Sequence, residues 1–483
     1  MSKDLHSEIF TIGVGGAAGE GVKYVGTQIG EALTAAGFQV YLSLDYPSLI
    51  RGGHNFVRLT AGKDKIWNDY KKLDVLVCLN DETKELHKNE IKEGAWMLEG
   101  LNNEEILAKI KEFLKEKNIS GGEAKAELIE GNMAFAKGLQ AAGLDFYMAY
   151  PMTPATSILH YLASQQTKEG LKVIQPENEI AVINMALGAV YAGKRVAVGS
   201  ATGGFALMQE AFSFSGMAEL PLVVAVAQRQ GPATGVPTRS SQSDLRFVIH
   251  AGHGEFPRIV IAPGDPEECF EAGAEALSLA WKFKTPVIVL LDKILCEHMM
   301  TVDIETRPND AVGQGLKNGD LKIPGTPGQI VKVTSYEHGD DGITVDKPEE
   351  IQEAMDKRFA KGKKIKEEMQ NRETIKIFGS SDSENVVMFF GSTKSAVLEA
   401  AKYFEKPVKL LQIVWLEPFD VEKVKKELSE AKNIICVEGN HGGQLASLIR
   451  ERTGIEVTDK ILKYNAMPFD PEELAKQINK ILK

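Results

Sequence analysis

The sequence predicts an α/β protein: three α/β units in series, with an extended arm before the last. Three observations predict it. Short apolar runs of strand length recur at 9–14, 38–44, 73–79, 196–200, 222–227, 259–262, 286–291, 386–390, 408–412 and 433–437, and helix-patterned stretches lie between them. Such alternation predicts parallel sheets flanked by helices. The chain has 483 residues, and at about 150 residues per domain that favours about three domains. The alternation lapses once, over residues 305–381.

The first unit spans residues 1–120. IFTIGV (9–14) reads as its first strand, the glycine-rich stretch GVGGAAGEG (13–21) as a turn, and the residues up to Ala36 as a helix that Gly37 stops. FQVYLSL (38–44) and LDVLVCL (73–79) are its next strands. The second unit spans 127–304, with helices at 177–192 and 266–281. Within the arm, 309–328 is rich in Gly, Pro, Asn and Asp. Residues 347–376 form a charged helical stretch carrying KRFAKGKKIK, which reads as a solvated helix face. The third unit spans 382–483, with VVMFF (386–390) and NIICV (433–437) as buried strands.

Composition narrows the function. Lys and Arg total 56 against 67 Asp and Glu, a net charge of −11. A chain with that balance lacks the basic footprint of a nucleic-acid binder. MSKDLHSEIF has no basic start followed by an apolar core, as a secretory signal would. The longest apolar runs, such as LPLVVAVA (220–227), fall well short of the roughly 20 residues of a membrane span. These features predict a cytoplasmic protein with no membrane partner. The four cysteines, Cys78, Cys269, Cys296 and Cys436, form no C-x-x-C pair. They read as buried thiols, and an iron–sulfur cluster, if one takes part, belongs to another polypeptide.

Several motifs carry chemistry. Residues 13–18 fit G-x-G-x-x-A between a strand and a helix, and Asp45 ends the next strand. That pattern is either a dinucleotide turn or a tight packing turn. Arg51-Gly-Gly-His54 sets a guanidinium and an imidazole beside two permissive glycines, as an anion grip or a plain turn. In YPMTP (150–154), two prolines stiffen the loop around Thr153 and bar it from helix. QPENE (175–179) opens a helix of small apolar residues. Glu177 and Glu179 therefore both stand where the helix dipole favours carboxylates, with Glu177 or Asn178 as the cap. A carboxyl drawn into such an apolar wall is suited to sharing a proton. SATGGF (200–205) is a strand-to-helix turn whose small residues permit close ligand approach. Arg229 follows the strand 222–227 and reads as a carboxylate clamp. His250 and His253, with Glu255 beside them, make one i, i+3 pair without a third well-spaced metal ligand, so no metal is assigned. No G-x-S-x-G elbow or P-loop occurs.

Taken in order, YPMTP (150–154), QPENEIAVINMALGAVYAGKR (175–195), QRQGPATGVPTRSSQSDL (228–245) and GHGEFPRIVIAPG (252–264) resemble the alpha subunit of 2-oxoacid:ferredoxin oxidoreductases. The N-terminal unit, with RGGHNFVRLT (51–60), is similar to that family's gamma subunit. VEGNHGGQL (437–445) is similar to its transketolase C-terminal-like domain. The resemblance covers nearly the whole chain. It implies a fused gamma–alpha polypeptide made of a gamma-like domain, a thiamine-diphosphate pyrimidine-binding-type domain and a transketolase C-terminal-like domain. It further implies oxidative decarboxylation of a 2-oxoacid with thiamine diphosphate, acyl transfer to coenzyme A and electron transfer to ferredoxin. A beta subunit would bring the Mg2+ and diphosphate side and a [4Fe–4S] cluster. The chain would then work only with that partner, in an (αβ)2 hetero-oligomer, and should expose an apolar patch where the partner completes the cleft.

By position, the resemblance assigns Glu179 rather than Glu177 as the cofactor-activating acid. It assigns Thr153 to the substrate face, Arg229 to the substrate carboxylate or the intermediate, and Arg239 to a second anion contact. The sequence departs from the family at GGAAGEGV, where Glu20 puts a negative charge beside the glycine-rich turn, and at ATGG (201–204). Pyruvate, 2-oxoglutarate and branched-chain oxoacids stay open as substrates, with 2-oxoglutarate ahead. Two other classes are weighed. An NAD-binding dehydrogenase would use 13–18 with Asp45 but leaves YPMTP and the Glu179 helix without a role. A non-catalytic electron-transfer accessory subunit would not need Glu179 and Arg229.

Overall fold

The computed structural model describes residues 9–47, 52–123, 126–167, 170–303, 323–328 and 331–483. The chain forms two compact units. One holds the residues up to Gly131 with a return segment that begins at Glu297, and the other holds the remainder. Among them are three α/β sheets, in keeping with the predicted fold class.

The first unit is one seven-stranded sheet, in the order Ile91–Glu99, Leu73–Cys78, Phe10–Ala17, His54–Gly62, Gln39–Asp45, Met299–Val302 and Glu127–Glu130. It is mixed, not parallel as the alternation suggested. Only the pairings of Leu73–Cys78 with its two neighbours are parallel. The cause is local. The link from Gln39–Asp45 to His54–Gly62 is too short for the dozen or more residues of a crossover, so the two strands pair antiparallel. Glu127–Glu130 and Met299–Val302, at the two ends of the stretch assigned to the second unit, pair with each other in this sheet.

The glycine-rich stretch is likewise strand rather than turn. Phe10–Ala17 runs through Gly13, Gly15 and Gly16. A Cβ on Gly13 would lie 2.5 Å from Phe56, and one on Gly15 would lie 2.4 Å from Thr83. These glycines therefore serve close packing. The turn comes later, where the Glu20 carboxylate accepts the Ala17 N–H at 2.7 Å and the Asn80 amide at 2.9 Å. His54–Gly62 also separates the Asp45 strand from Phe10–Ala17. The dinucleotide arrangement of 13–18 with Asp45 is not built.

The second unit carries two sheets. The larger runs Trp415–Glu417, Ile259–Ile261, Val287–Asp292, Val223–Gln228, Val196–Ala201, Phe146–Met148 and Lys172–Ile174, parallel except for the first pairing. Its central strands are buried on both faces, which is why they read as unbroken apolar runs. After Phe146–Met148 the chain moves outward to Lys172–Ile174, and after Val196–Ala201 it moves the other way to Val223–Gln228. The strand order thus reverses between Phe146–Met148 and Val196–Ala201. Ligands bind at the carboxyl ends of strands at such a switch point.

The smaller sheet orders Ile375–Gly379, Lys409–Ile413, Asn385–Phe389, Asn433–Glu438 and Asp459–Leu462. Its edge strand Ile375–Gly379 comes from the stretch read as arm. Buried Gln242 ties the two sheets of this unit: its amide donates to Asp292 at 3.2 Å and to the Phe390 carbonyl at 3.0 Å, and its carbonyl accepts from Gly439 N at 2.9 Å. The EGNHGGQ motif works on the same seam. Glu438 caps the helix Gln444–Thr453 through the N–H groups of Leu445 (2.7 Å) and Ala446 (3.0 Å), and Gln444 accepts from Arg246 N at 2.9 Å. All four cysteines are buried and none forms a disulfide.

The basic cluster on the helix Pro348–Met369 is not simply a solvated face. Arg358 is buried against Glu337 at 2.6 Å, and Lys361 pairs with Glu219 at 2.6 Å. The i, i+4 spacing of Lys357 and Lys361 brings both to Glu219. Residues 304–322 and 329–330 of the predicted arm lie outside the described residues.

One half-buried acid, Glu275, predicts a pH effect. Burial pushes the Glu275 carboxyl from 4.5 up to about 7, although Arg372, 3.5 Å away, acts against it. An acid raised in the folded state stabilises the fold below its unfolded pKa, and that contribution is lost as pH rises through the folded value. Glu275→Gln should leave unfolding free energy little changed near pH 4.5. At pH 8 it should raise it by up to on the order of 3 kcal/mol. Urea unfolding at both pH values reads this directly, and a variant no more stable than wild type at pH 8 would refute it.

Candidate active site

The site grows from one helix start. Asn178 is extended and its side chain accepts the Ala181 N–H at 2.9 Å, so Asn178 is the N-cap of the helix Glu179–Tyr191. Glu177 precedes the cap and is exposed. Glu179 is the first helical residue and is 3% exposed. Its Oε1 lies 3.5 Å from the hydroxyl of Ser200, at the carboxyl end of Val196–Ala201. Its Oε2 has no hydrogen-bond partner among the described residues. Gly204, in the short helix Thr202–Leu207, closes the pocket: a Cβ there would lie 2.5 Å from Glu179 Oε1 and 2.1 Å from Ser200 Oγ. A buried carboxylate with one unpaired oxygen is costly unless something meets it.

The proline-stiffened loop meets the same point. Ser200 Oγ is 3.8 Å from Met152 Sδ, within YPMTP. Arg229, next after Val223–Gln228, donates from Nη1 to the Thr153 carbonyl at 2.7 Å. The rest of its guanidinium has no partner among the described residues. Burial lowers the Arg229 pKa from its ordinary value, but a guanidinium keeps its charge. Glu179, Ser200, Met152, Thr153 and Arg229 thus form one linked group at the switch point.

Other predicted residues lie elsewhere. The backbone of Arg239 closes a hairpin by accepting from Gln230 N at 3.1 Å, and its side chain reaches Met467 Sδ at 3.4 Å. Arg51 lies outside the described residues. His54 turns its Nε2 to His87 Nε2 at 3.0 Å, and burial followed by His87 lowers its pKa. Among the described residues no group of three His, Cys, Asp or Glu could hold a metal, and no helix is long and apolar enough to cross a membrane.

Sequence reasoning named Ser200 only as part of a small-residue turn. It missed Asp244, which accepts from the Thr202 hydroxyl at 2.7 Å and whose pKa burial raises. The signal for Ser200 was present, since it is a hydroxyl residue near the end of an otherwise apolar strand, three residues before Gly203 and Gly204.

Comparison with known proteins places this geometry. A family model described as "Pyruvate flavodoxin/ferredoxin oxidoreductase, thiamine diP-bdg" matches residues 137–371, and one described as "Pyruvate ferredoxin/flavodoxin oxidoreductase" matches residues 11–193. The fold is that of the thiamine-diphosphate-binding α/β oxidoreductases. The 2-oxoacid:ferredoxin oxidoreductase subunit alpha of a Sulfolobus species is 28% identical, over 97% of this chain and 96% of that one. The 2-oxoglutarate synthase subunit KorA of Methanocaldococcus jannaschii is 30% identical, over 73% of this chain and 99% of that one. A 2-oxoglutarate:ferredoxin oxidoreductase from Magnetococcus marinus, solved with 2-oxoglutarate, coenzyme A and succinyl-CoA bound, superposes with a TM-score of 0.86 at 27% identity. That superposition covers 99% of this chain and 100% of that one. The chain belongs to the 2-oxoacid:ferredoxin oxidoreductase family and corresponds to its alpha subunit, as the motifs implied.

Proposed function

We propose that this chain, a fused gamma–alpha subunit, holds the pyrimidine side of thiamine diphosphate and decarboxylates 2-oxoglutarate to its acyl-CoA with electrons passed to ferredoxin. A beta subunit supplies the diphosphate and Mg2+ side and the [4Fe–4S] cluster, in an (αβ)2 assembly in the cytoplasm. The observation that carries this reading is Glu179, buried, with one oxygen unpartnered at the switch point. The residues present fit an aminopyrimidine on that oxygen: Ser200 and the Gly204 backbone occupy the Oε1 side and leave Oε2 to meet the ring. Thiamine diphosphate held there would supply carbanion chemistry for decarboxylating a 2-oxoacid.

This chain's residues do the rest. Glu179 shares a proton with N1′ of the aminopyrimidine. Arg229 offers the unused edge of its guanidinium to the substrate carboxylate while its Nη1 holds the Thr153 carbonyl, so clamp and loop are set together. Thr153 faces substrate, and Arg239, on the same hairpin, supplies an outer anion contact. The favoured oxoacid rests on relatives named for 2-oxoglutarate.

A partner is supported by the surface around the site. Ile180 and Met185 on the Glu179 helix, Leu207 on the Gly204 helix and Val236 on the Arg229 hairpin are all exposed. Large apolar side chains gathered on elements that build one site mark an interface. The assembled enzyme should release CO2 from 2-oxoglutarate with a higher kcat/KM than from pyruvate or a branched-chain oxoacid, and only with coenzyme A and ferredoxin present. Preference for pyruvate, or reduction of NAD+ in place of ferredoxin, would overturn this reading.

A further inference from the structure

We propose that Ser200 is a positioning residue for Glu179: its hydroxyl holds Oε1 and thereby leaves Oε2 as the oxygen that meets N1′ of the cofactor. This inference rests on the role given to Glu179 above. Both side chains are buried, Ser200 completely and Glu179 at 3% exposure. Ser200 Oγ is the one hydrogen-bond donor to the Glu179 carboxylate among the described residues, at 3.5 Å. Its only other partner among the described residues is the Met152 thioether at 3.8 Å, a far weaker acceptor than a carboxylate.

The surroundings leave the carboxylate little choice of orientation. The helix Glu179–Tyr191 fixes the Cα and is capped by Asn178, so the cap does not compete for the carboxylate. Gly204 presses on the Oε1 side, where a Cβ would come within 2.5 Å of that oxygen. A side chain held on one oxygen by a hydroxyl, and walled on the same side by backbone, presents its other oxygen in a fixed direction. Ser200 also touches the YPMTP loop through Met152, so the same hydroxyl aligns the acid with the loop that carries Thr153.

The test reads the carboxylate itself, without cofactor. In the full chain labelled with carboxyl-13C glutamate, the infrared difference between wild type and Glu179→Gln isolates the Glu179 band. Ser200→Ala should shift that band to the frequency of a carboxylate with no hydroxyl donor, and Ser200→Thr, which keeps the hydroxyl, should restore it. In the assembled enzyme, Ser200→Ala should slow C2-proton exchange about tenfold with unchanged thiamine diphosphate content, as expected for one lost hydrogen bond. A Glu179 band identical in wild type and Ser200→Ala would overturn the proposal, even with Glu179 essential. Normal exchange in Glu179→Gln would instead overturn the reading on which it rests, so the two failures are told apart.

Discussion

Glu179→Gln lowers C2-proton exchange on bound thiamine diphosphate by about 10²- to 10⁴-fold in the assembled enzyme, the usual worth of a positioned general acid–base. Glutamine keeps the size and polarity of the side chain and can still accept from Ser200, so the pocket stays filled. It cannot share a proton with N1′. Glu177→Gln is the control two residues away. Glu177 is exposed and does not cap the helix, since Asn178 does. Its substitution should cost at most about tenfold through a small shift of the helix start. Exchange measured by quench and NMR on both variants decides the matter. Loss of exchange in Glu177→Gln with near wild-type exchange in Glu179→Gln would move the assignment by two residues.

Arg229→Ala lowers kcat/KM for the oxoacid by roughly 10- to 150-fold, the equivalent of a charge-assisted contact of about 1.5–3 kcal/mol. The structure adds a second consequence. Nη1 holds the Thr153 carbonyl at 2.7 Å, so the variant also frees the YPMTP loop. Arg229→Lys should recover little of the loss, because an ammonium has no fork with which to hold the carbonyl and the substrate at once. Thiamine diphosphate content should stay at the wild-type level in both variants, which separates a substrate clamp from a cofactor ligand. Unchanged kinetics in Arg229→Ala would make Arg229 a bystander and shift attention to Arg239.

What the sequence made legible was local or periodic. Strands such as Val223–Gln228 and Val287–Asp292 are buried on both faces, so they stand out as continuous apolar runs. The Asn178 cap and the start of the helix at Glu179 follow from a few adjacent residues. The three-residue strands Phe146–Met148 and Lys172–Ile174 leave almost no pattern, and the second was not anticipated. The direction of the first sheet was misread because a helix–strand alternation does not show where a short link forces antiparallel pairing. The stretch 13–18 satisfies a dinucleotide fingerprint and a glycine-packed strand equally well. Only Phe56 and Thr83, 43 and 68 residues on from Gly13 and Gly15, decide between them. The charged cluster at 357–366 looked solvated because Glu219 and Glu337, its half-buried partners, lie far from it in sequence. The Ser200–Glu179 pair was hidden for the same reason, being 21 residues apart and joined only by the packing of strand against helix.

The central claim is that this chain supplies one half of a thiamine diphosphate site and a partner subunit supplies the other. Calorimetric titration of thiamine diphosphate with Mg2+ into the chain alone, into the partner alone and into the assembled enzyme tests it most directly. Binding at micromolar concentration is predicted only for the assembly, with one cofactor per pair of subunits. Tight stoichiometric binding by the lone chain would contradict the account.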